Sequence, residues 1–269
     1  MIQRVVSTVG LWSVVIACLF LLKAHGGILL IAVFGALTQY EFYKLLEKIG
    51  YPAFPHLSGV LGVFVILGAY YCPQQPAAAL AVVVVACASL TKLKSGGAVK
   101  ALLASTLGII YIPFCLRYLI LPVHIVGNEM TGLFIGFWMV VAAKFSDAGG
   151  YLVGTAIGRH KLAPSVSPAK TWEGAFGGVI ASAAVATALV AALRSHFPPE
   201  FALWKAALAA IPISAIAIVS DLVESVIKRK AEVKDSGNII PGLGGIFDLT
   251  DSLLLSAPVG YAIILNFLL

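Results

Sequence analysis

Charge is what this chain most lacks. Asp, Glu, Lys and Arg make up 11% of its 269 residues, against about 25% in an ordinary soluble domain. Hydrophobic residues make up 60%, and mean hydropathy is +1.00. So little polar surface cannot coat a water-soluble globule. A soluble enzyme, a disordered chain and a nucleic-acid-binding domain are therefore excluded. The net charge of +6 says less about partners than where the charges sit. Cysteine is sparse too: Cys18, Cys72, Cys87 and Cys115 lie in or beside apolar runs, with no CxxC pair and no Cys/His metal pattern. Also missing are the alternation of barrel strands, an internal repeat of the transporter kind and the Gly-rich lead of a P-loop.

What is present is a series of apolar runs near the length, about 20 residues, that a bilayer-spanning helix needs. Nine are expected: 5–22, 26–43, 57–72, 77–91, 99–120, 131–158, 174–193, 206–227 and 252–269. The reading is thus an all-α polytopic membrane protein, because helices hide their backbone polar groups from lipid. The first run reads as a membrane helix rather than a cleaved signal, since no convincing small-x-small site follows it. With nine spans, one membrane face holds Arg4, Lys44, Lys48, Lys92, Lys94, Lys100, Arg159, Lys161, Lys170, Lys228, Arg229, Lys230 and Lys234. The other holds Lys23, Arg194 and Lys205, and Arg117 and Lys144 fall inside spans. Thirteen against three places the N-terminus in the cytoplasm by the positive-inside rule.

Acidic residues are unevenly spread. Nine of the twelve lie between Asp147 and Asp251; only Glu41, Glu47 and Glu129 precede them. Residues 1–130 therefore read as transmembrane scaffold and 131–269 as the catalytic region, because carboxylates within spans are costly and usually functional. Asp147 stands in Lys144-Phe145-Ser146-Asp147-Ala148-Gly149-Gly150-Tyr151, followed by Gly154 and Gly158. Gly150, Gly154 and Gly158 form a helical stripe fit for close approach to a neighbouring helix, in this chain or in a second copy. A Lys144–Asp147 pair is the purely structural alternative. The loop from Arg159 to Gly174 carries Arg159, Lys161 and Lys170, with Ser167 or Thr171 placed to cap the next helix. A helix start beside cations suits an anion, and a plain basic loop is the alternative. The histidines, His160 near this loop among them, have no ligand-like spacing.

Asp221, Glu224, Ser225 and Lys228 share one helical face. The stretch Lys234-Asp235-Ser236-Gly237 and the turn Pro241-Gly242-Leu243-Gly244-Gly245 follow, and Asp248 and Asp251 open the last helix. Acids at a helix start fit the dipole. The glycines let backbone N–H groups come close to a phosphate. Mg²⁺ is typically held by one or two carboxylates plus substrate phosphates, and Lys or Arg neutralises the remaining phosphate charge. These residues favour a membrane enzyme acting on a phosphorylated nucleotide.

The stretch Ser220-Asp221, Glu224-Ser225, Lys228-Arg229, Lys234-Asp235-Ser236-Gly237, Pro241-Gly242, Gly244-Gly245, Asp248 and Asp251 resembles the signature of the phosphatidate cytidylyltransferase (CDP-diacylglycerol synthase) family. The Ser167-Pro168-x-Lys170-Thr171-x-Glu173-Gly174 loop and Asp147-Ala148-x-x-Tyr151 are similar to that family too, so the motifs cover about 140–255. The resemblance implies a Mg²⁺-dependent enzyme of the inner membrane, working from the cytoplasmic face as a homodimer, with room for a second, monovalent cation. Its substrates would be CTP and phosphatidate and its products CDP-diacylglycerol and pyrophosphate, with no nucleic-acid partner. Carried over by motif, Asp221 and Asp248 are the main metal ligands, supported by Asp147, Glu224 and Asp251. Lys228, Lys234 and Asp235 join Asp221 and Asp248 in the catalytic set. Arg159, Ser167, Lys170, Thr171, Arg229, Ser236, Gly244 and Gly245 bind substrate.

Two positions depart from the family pattern. Leu243 stands where a His is usual, and Leu249 where an Arg usually follows the Asp. Neither leucine can carry charge. The nucleophile, however, is a phosphate monoester that is already anionic, so catalysis rests on positioning and charge neutralisation. An active enzyme is expected. The alternatives are a CTP-dependent lipid kinase, which would release CDP, a transporter using Asp147 and Asp221, and a non-catalytic relative.

Overall fold

The computed structural model describes residues 2–95, 97–240, 242 and 244–269. Leu243, one of the two departures, lies outside the described residues.

Among the described residues the chain is all-α apart from one hairpin. Its elements are α1 (Ile2–Lys48), α2 (Pro55–Tyr71), α3 (Ala77–Ser89), α4 (Ala98–Tyr111), the one-turn helices α5 (Pro113–Leu116) and α6 (Pro122–Ile125), and α7 (Glu129–Ile157). Then come β1 (Lys161–Ala163), β2 (Ser167–Thr171), α8 (Trp172–Ala192), α9 (Leu203–Lys230) and α10 (Ile246–Ile263). All nine apolar runs fall on helices. The first two share α1, which breaks at Lys23, where φ is 50° and ψ is −126°. Among the described residues, six helices are long and apolar enough to cross a membrane: Leu21–Lys48, Ala98–Leu119, Glu129–Ile157, Trp172–Ala192, Leu203–Lys230 and Ile246–Leu268. Pro55–Tyr71 and Ala77–Leu93 are shorter apolar helices. On α8, Phe176 and Ile180 stand one turn apart at 65% and 70% exposure. Such an outward apolar stripe is stable against lipid and not against water. The chain is a polytopic membrane protein.

The chain divides into two compact units, Met1–Arg117 with Ile227–Thr250, and Tyr118–Val226 with Asp251–Leu269. In the first, Phe42 of α1 meets Phe247 of α10 edge-on, with ring centroids 5.8 Å apart, and Tyr111 lies against both rings. Some buried polar groups in this unit find partners within or across helices, which lipid cannot supply. The Thr38 and Thr250 hydroxyls are 2.8 Å apart. Gln39 Nε2 donates to the Tyr43 hydroxyl, which donates in turn to the Ser105 carbonyl. Val65, Ala81, Val85 and Ile109 form an apolar cluster among α2, α3 and α4.

In the second unit the glycine stripe of α7 has its partner within the same chain. Gly150 and Gly154 lie against Gly174 of α8, and Gly149 against Gly177, Gly178 and Ala181. The absence of side chains on both helices lets the backbones approach closely, the small-residue mode of membrane helix packing. Higher along the same pair, Trp138 Nε1 donates to the Ala186 carbonyl at 3.1 Å and the Ser182 hydroxyl to the Ala142 carbonyl at 2.6 Å.

Candidate functional site

In the second unit α9 places Asp221 and Glu224 one turn apart, and Asp251 lies in the second turn of α10. One carboxylate oxygen from each of these three falls within 4.8 Å of the others. Glu224 is 0% exposed and Asp251 6%, so the group is largely removed from water. The Ser220 hydroxyl donates to the Asp251 backbone carbonyl and accepts from the Leu255 N–H, tying α9 to α10 beside the carboxylates.

Two lysines stand among the acids. Lys170, on β2, is 2.5 Å from Asp221 Oδ2. Lys144, on α7, is 3.3 Å from Asp251 Oδ1 and 3.7 Å from Asp147 Oδ2. The expected Lys144–Asp147 pair thus exists, but its lysine sits nearer Asp251. Asp147, Asp221, Glu224 and Asp251 are four carboxylates against two ammoniums, an excess of two negative charges. Hard oxygen donors with two charges to neutralise suit Mg²⁺, so the residues present fit a divalent ion.

The stretch before α8, read from sequence as a loop, is a hairpin. Lys161 pairs with Thr171 and Ala163 with Ser167. Pro164 and Pro168, which cannot donate to a ladder, disguised it. Thr171 rather than Ser167 caps α8, accepting from the Gly174 N–H at 3.1 Å. Glu173 closes the base of the hairpin. It accepts from the backbone N–H groups of Arg159 and His160 and sits 2.6 Å from His160 Nδ1. His160, given no role from sequence, is therefore engaged. Arg159 is exposed and Ser167 half-buried.

In the first unit Asp248 is held from three sides. Lys228 Nζ is 2.8 Å from its Oδ1; the Ser236 N–H donates to both oxygens at 3.1–3.2 Å and the Gly245 N–H to Oδ2 at 2.8 Å. Gly242 and Gly244 have φ of 80° and 95°, conformations that favour glycine, and Ile240 and Gly244 exchange backbone hydrogen bonds at 3.2 Å across this turn. Leu249 is half-buried. Lys234, Asp235 and Arg229 are exposed, and the Arg229 guanidinium donates to the Val233 carbonyl.

One carboxylate here escaped the sequence reading. Glu41, on α1, is 2% exposed; its Oε2 accepts from the Ser236 hydroxyl at 2.8 Å and the Phe247 N–H at 2.9 Å. The only local signal was an acid inside an apolar span, which is reason enough to suspect a role.

The chain matches the sequence model of the Cytidylyltransferase family over residues 2–267. It is 38% identical over 162 residues to a phosphatidate cytidylyltransferase of Bacillus subtilis, covering 60% of this chain and 58% of that protein. Identity to the phosphatidate cytidylyltransferase of Haemophilus influenzae is 35% over 135 residues, covering 50% and 47%. For that of Pseudomonas aeruginosa it is 39% over 134 residues, covering 50% and 48%. The matched stretch spans about half the length of these curated relatives. With residues 2–267 accounted for by one family model, the chain belongs to the cytidylyltransferase family.

Proposed function

We propose that this protein is a phosphatidate cytidylyltransferase, joining CTP and phosphatidate into CDP-diacylglycerol with release of pyrophosphate. The observation that carries the reading is the gathering of Asp221, Glu224 and Asp251 oxygens within 4.8 Å, flanked by Lys144 and Lys170. The curated relatives named for the same reaction support it.

Asp221, Glu224 and Asp251 would hold Mg²⁺, with Asp147 adding charge nearby. The ion's chemistry when bound is to neutralise nucleotide phosphates and the leaving pyrophosphate. Lys144 and Lys170 supply fixed positive charge beside those carboxylates and keep them in place. In the first unit Asp248 orients Lys228, whose ammonium would offer positive charge to phosphate oxygens. The lipid phosphate is an anion at neutral pH, so attack on the α-phosphorus of CTP requires no side-chain base. The bond to the pyrophosphate oxygen breaks as the new one forms, in line with the general demands of phosphoryl chemistry on positioning and charge.

The proposal places this chemistry at the cytoplasmic face of the inner membrane, on the strength of the thirteen basic residues assigned to that side. It extends to a homodimer, as the family resemblance implies. The α7 glycine stripe lends the dimer no support, because α8 occupies it. The test is incorporation of labelled CTP into lipid by the detergent-purified protein with phosphatidate, with and without Mg²⁺. Lipid-bound CMP and free pyrophosphate support the reading. Released CDP would point to a lipid kinase, and no nucleotide turnover would remove the enzyme assignment.

A further inference from the structure

We infer that Glu41 is a positioning residue for Asp248, acting from α1 through the Ser236 hydroxyl and the first turn of α10; the inference rests on the cytidylyltransferase reading. The first N–H groups of a helix lack intrahelical partners and are normally met by a side chain of the residue before the helix. At the start of α10 that residue is Gly245, which has no side chain to offer. Asp248 performs half of the usual arrangement by reaching back to the Gly245 N–H at 2.8 Å. The Phe247 N–H goes instead to Glu41, 206 residues away in sequence, at 2.9 Å. A carboxylate there also suits the positive end of the helix dipole.

The same carboxylate oxygen accepts from the Ser236 hydroxyl at 2.8 Å, while the Ser236 backbone N–H donates to Asp248. Ser236 is thus a bridge, its side chain fixed by Glu41 and its main chain fixing Asp248. The fit is close. A Cβ on Gly245 would run into the Glu41 carboxylate and the Ser236 hydroxyl, and one on Gly237 into Glu41 again. Phe42, the next residue of α1, locks the arrangement by its edge-on contact with Phe247. Glu41 is buried, is hydrogen-bonded only to groups of this turn among the described residues, and lies on a helix with no other assigned part in the reaction.

The test compares Glu41→Ala, Glu41→Gln and Ser236→Ala in the full-length protein, by turnover and by hydrogen exchange of peptides covering 234–248. Glu41→Gln keeps a carbonyl acceptor and serves as the rescue. Glu41→Ala and Ser236→Ala are expected to lower kcat by about tenfold or more, the scale of a small misplacement of reacting groups. KM for phosphatidate should stay near the wild-type value, and exchange should quicken at 234–248 only. Glu41→Gln should restore both readouts, and Glu41→Ala with Ser236→Ala should lose no more than the worse single variant. Wild-type kcat in Ser236→Ala, additive losses, or exchange that quickens throughout the protein would overturn the inference. A wild-type protein without turnover would instead remove the reaction assigned above, and local exchange in Glu41→Ala would then decide the placement of Glu41 alone.

Discussion

Lys144 and Glu41 are the two single residues on which most depends, one a cation among carboxylates and the other a carboxylate among donors. Removing the Lys144 ammonium leaves Asp147 and Asp251 facing each other without it. Lys144→Met should cost about 3 kcal/mol of stability, the scale for breaking a buried pair from one side. Adding Asp251→Asn should recover part of that loss in thermal unfolding in detergent; further destabilisation would contradict the arrangement. Asp221→Asn and Asp248→Asn should each remove nearly all incorporation of labelled CTP, and Asp221→Asn should also abolish any rise in melting temperature produced by Mg²⁺. Full activity in both variants would dismiss the roles given to these acids. At this scale sequence carried some of the site and hid the rest. Asp221 and Glu224 were legible because i and i+3 share a helix face. Lys144 was visible only as a partner for Asp147, since its shorter contact, to Asp251, spans 107 residues. Glu41 showed only as an acid inside an apolar span, because its partners lie 195 and 206 residues downstream.

Among elements, the α7–α8 pair and the hairpin before α8 decide whether Lys170 reaches Asp221. A Cβ on Gly178 would collide with the Ser146 backbone carbonyl. Gly178→Val should therefore push the helices apart and cost about 1–3 kcal/mol, as overpacking does, with activity falling as Lys170 shifts. Thr171→Ala should cost about 1 kcal/mol through the lost cap, whereas Ser167→Ala, which removes no cap, should leave the melting temperature almost unchanged. Equal losses in the two would contradict the cap assignment. The helices themselves were readable from run length alone, including the interruption near Lys23. The hairpin was not, because its two short strands, of three and five residues, are surrounded by prolines that read as loop.

At the scale of the whole molecule the number of helices that cross sets the topology. Nine crossings, the count expected from the sequence, would put the two ends of the chain on opposite sides and keep the basic residues together. A C-terminal alkaline phosphatase fusion should accordingly be active, and a thiol-reactive label on a cysteine introduced at Asp235 should react only when the cytoplasmic face is open to it. A silent fusion would revise the count. The first compact unit is assembled from two distant pieces of chain, Met1–Arg117 and Ile227–Thr250, and this has a consequence for biogenesis. At translation speeds of 5–20 residues per second, about 10–40 s pass between the emergence of α1 and that of Ser236 and Phe247. Throughout that interval the Glu41 carboxylate is without the Ser236 and Phe247 donors that later shelter it. A stalled or shortened nascent chain would hand that exposed acid to whatever insertase or membrane protease is nearest.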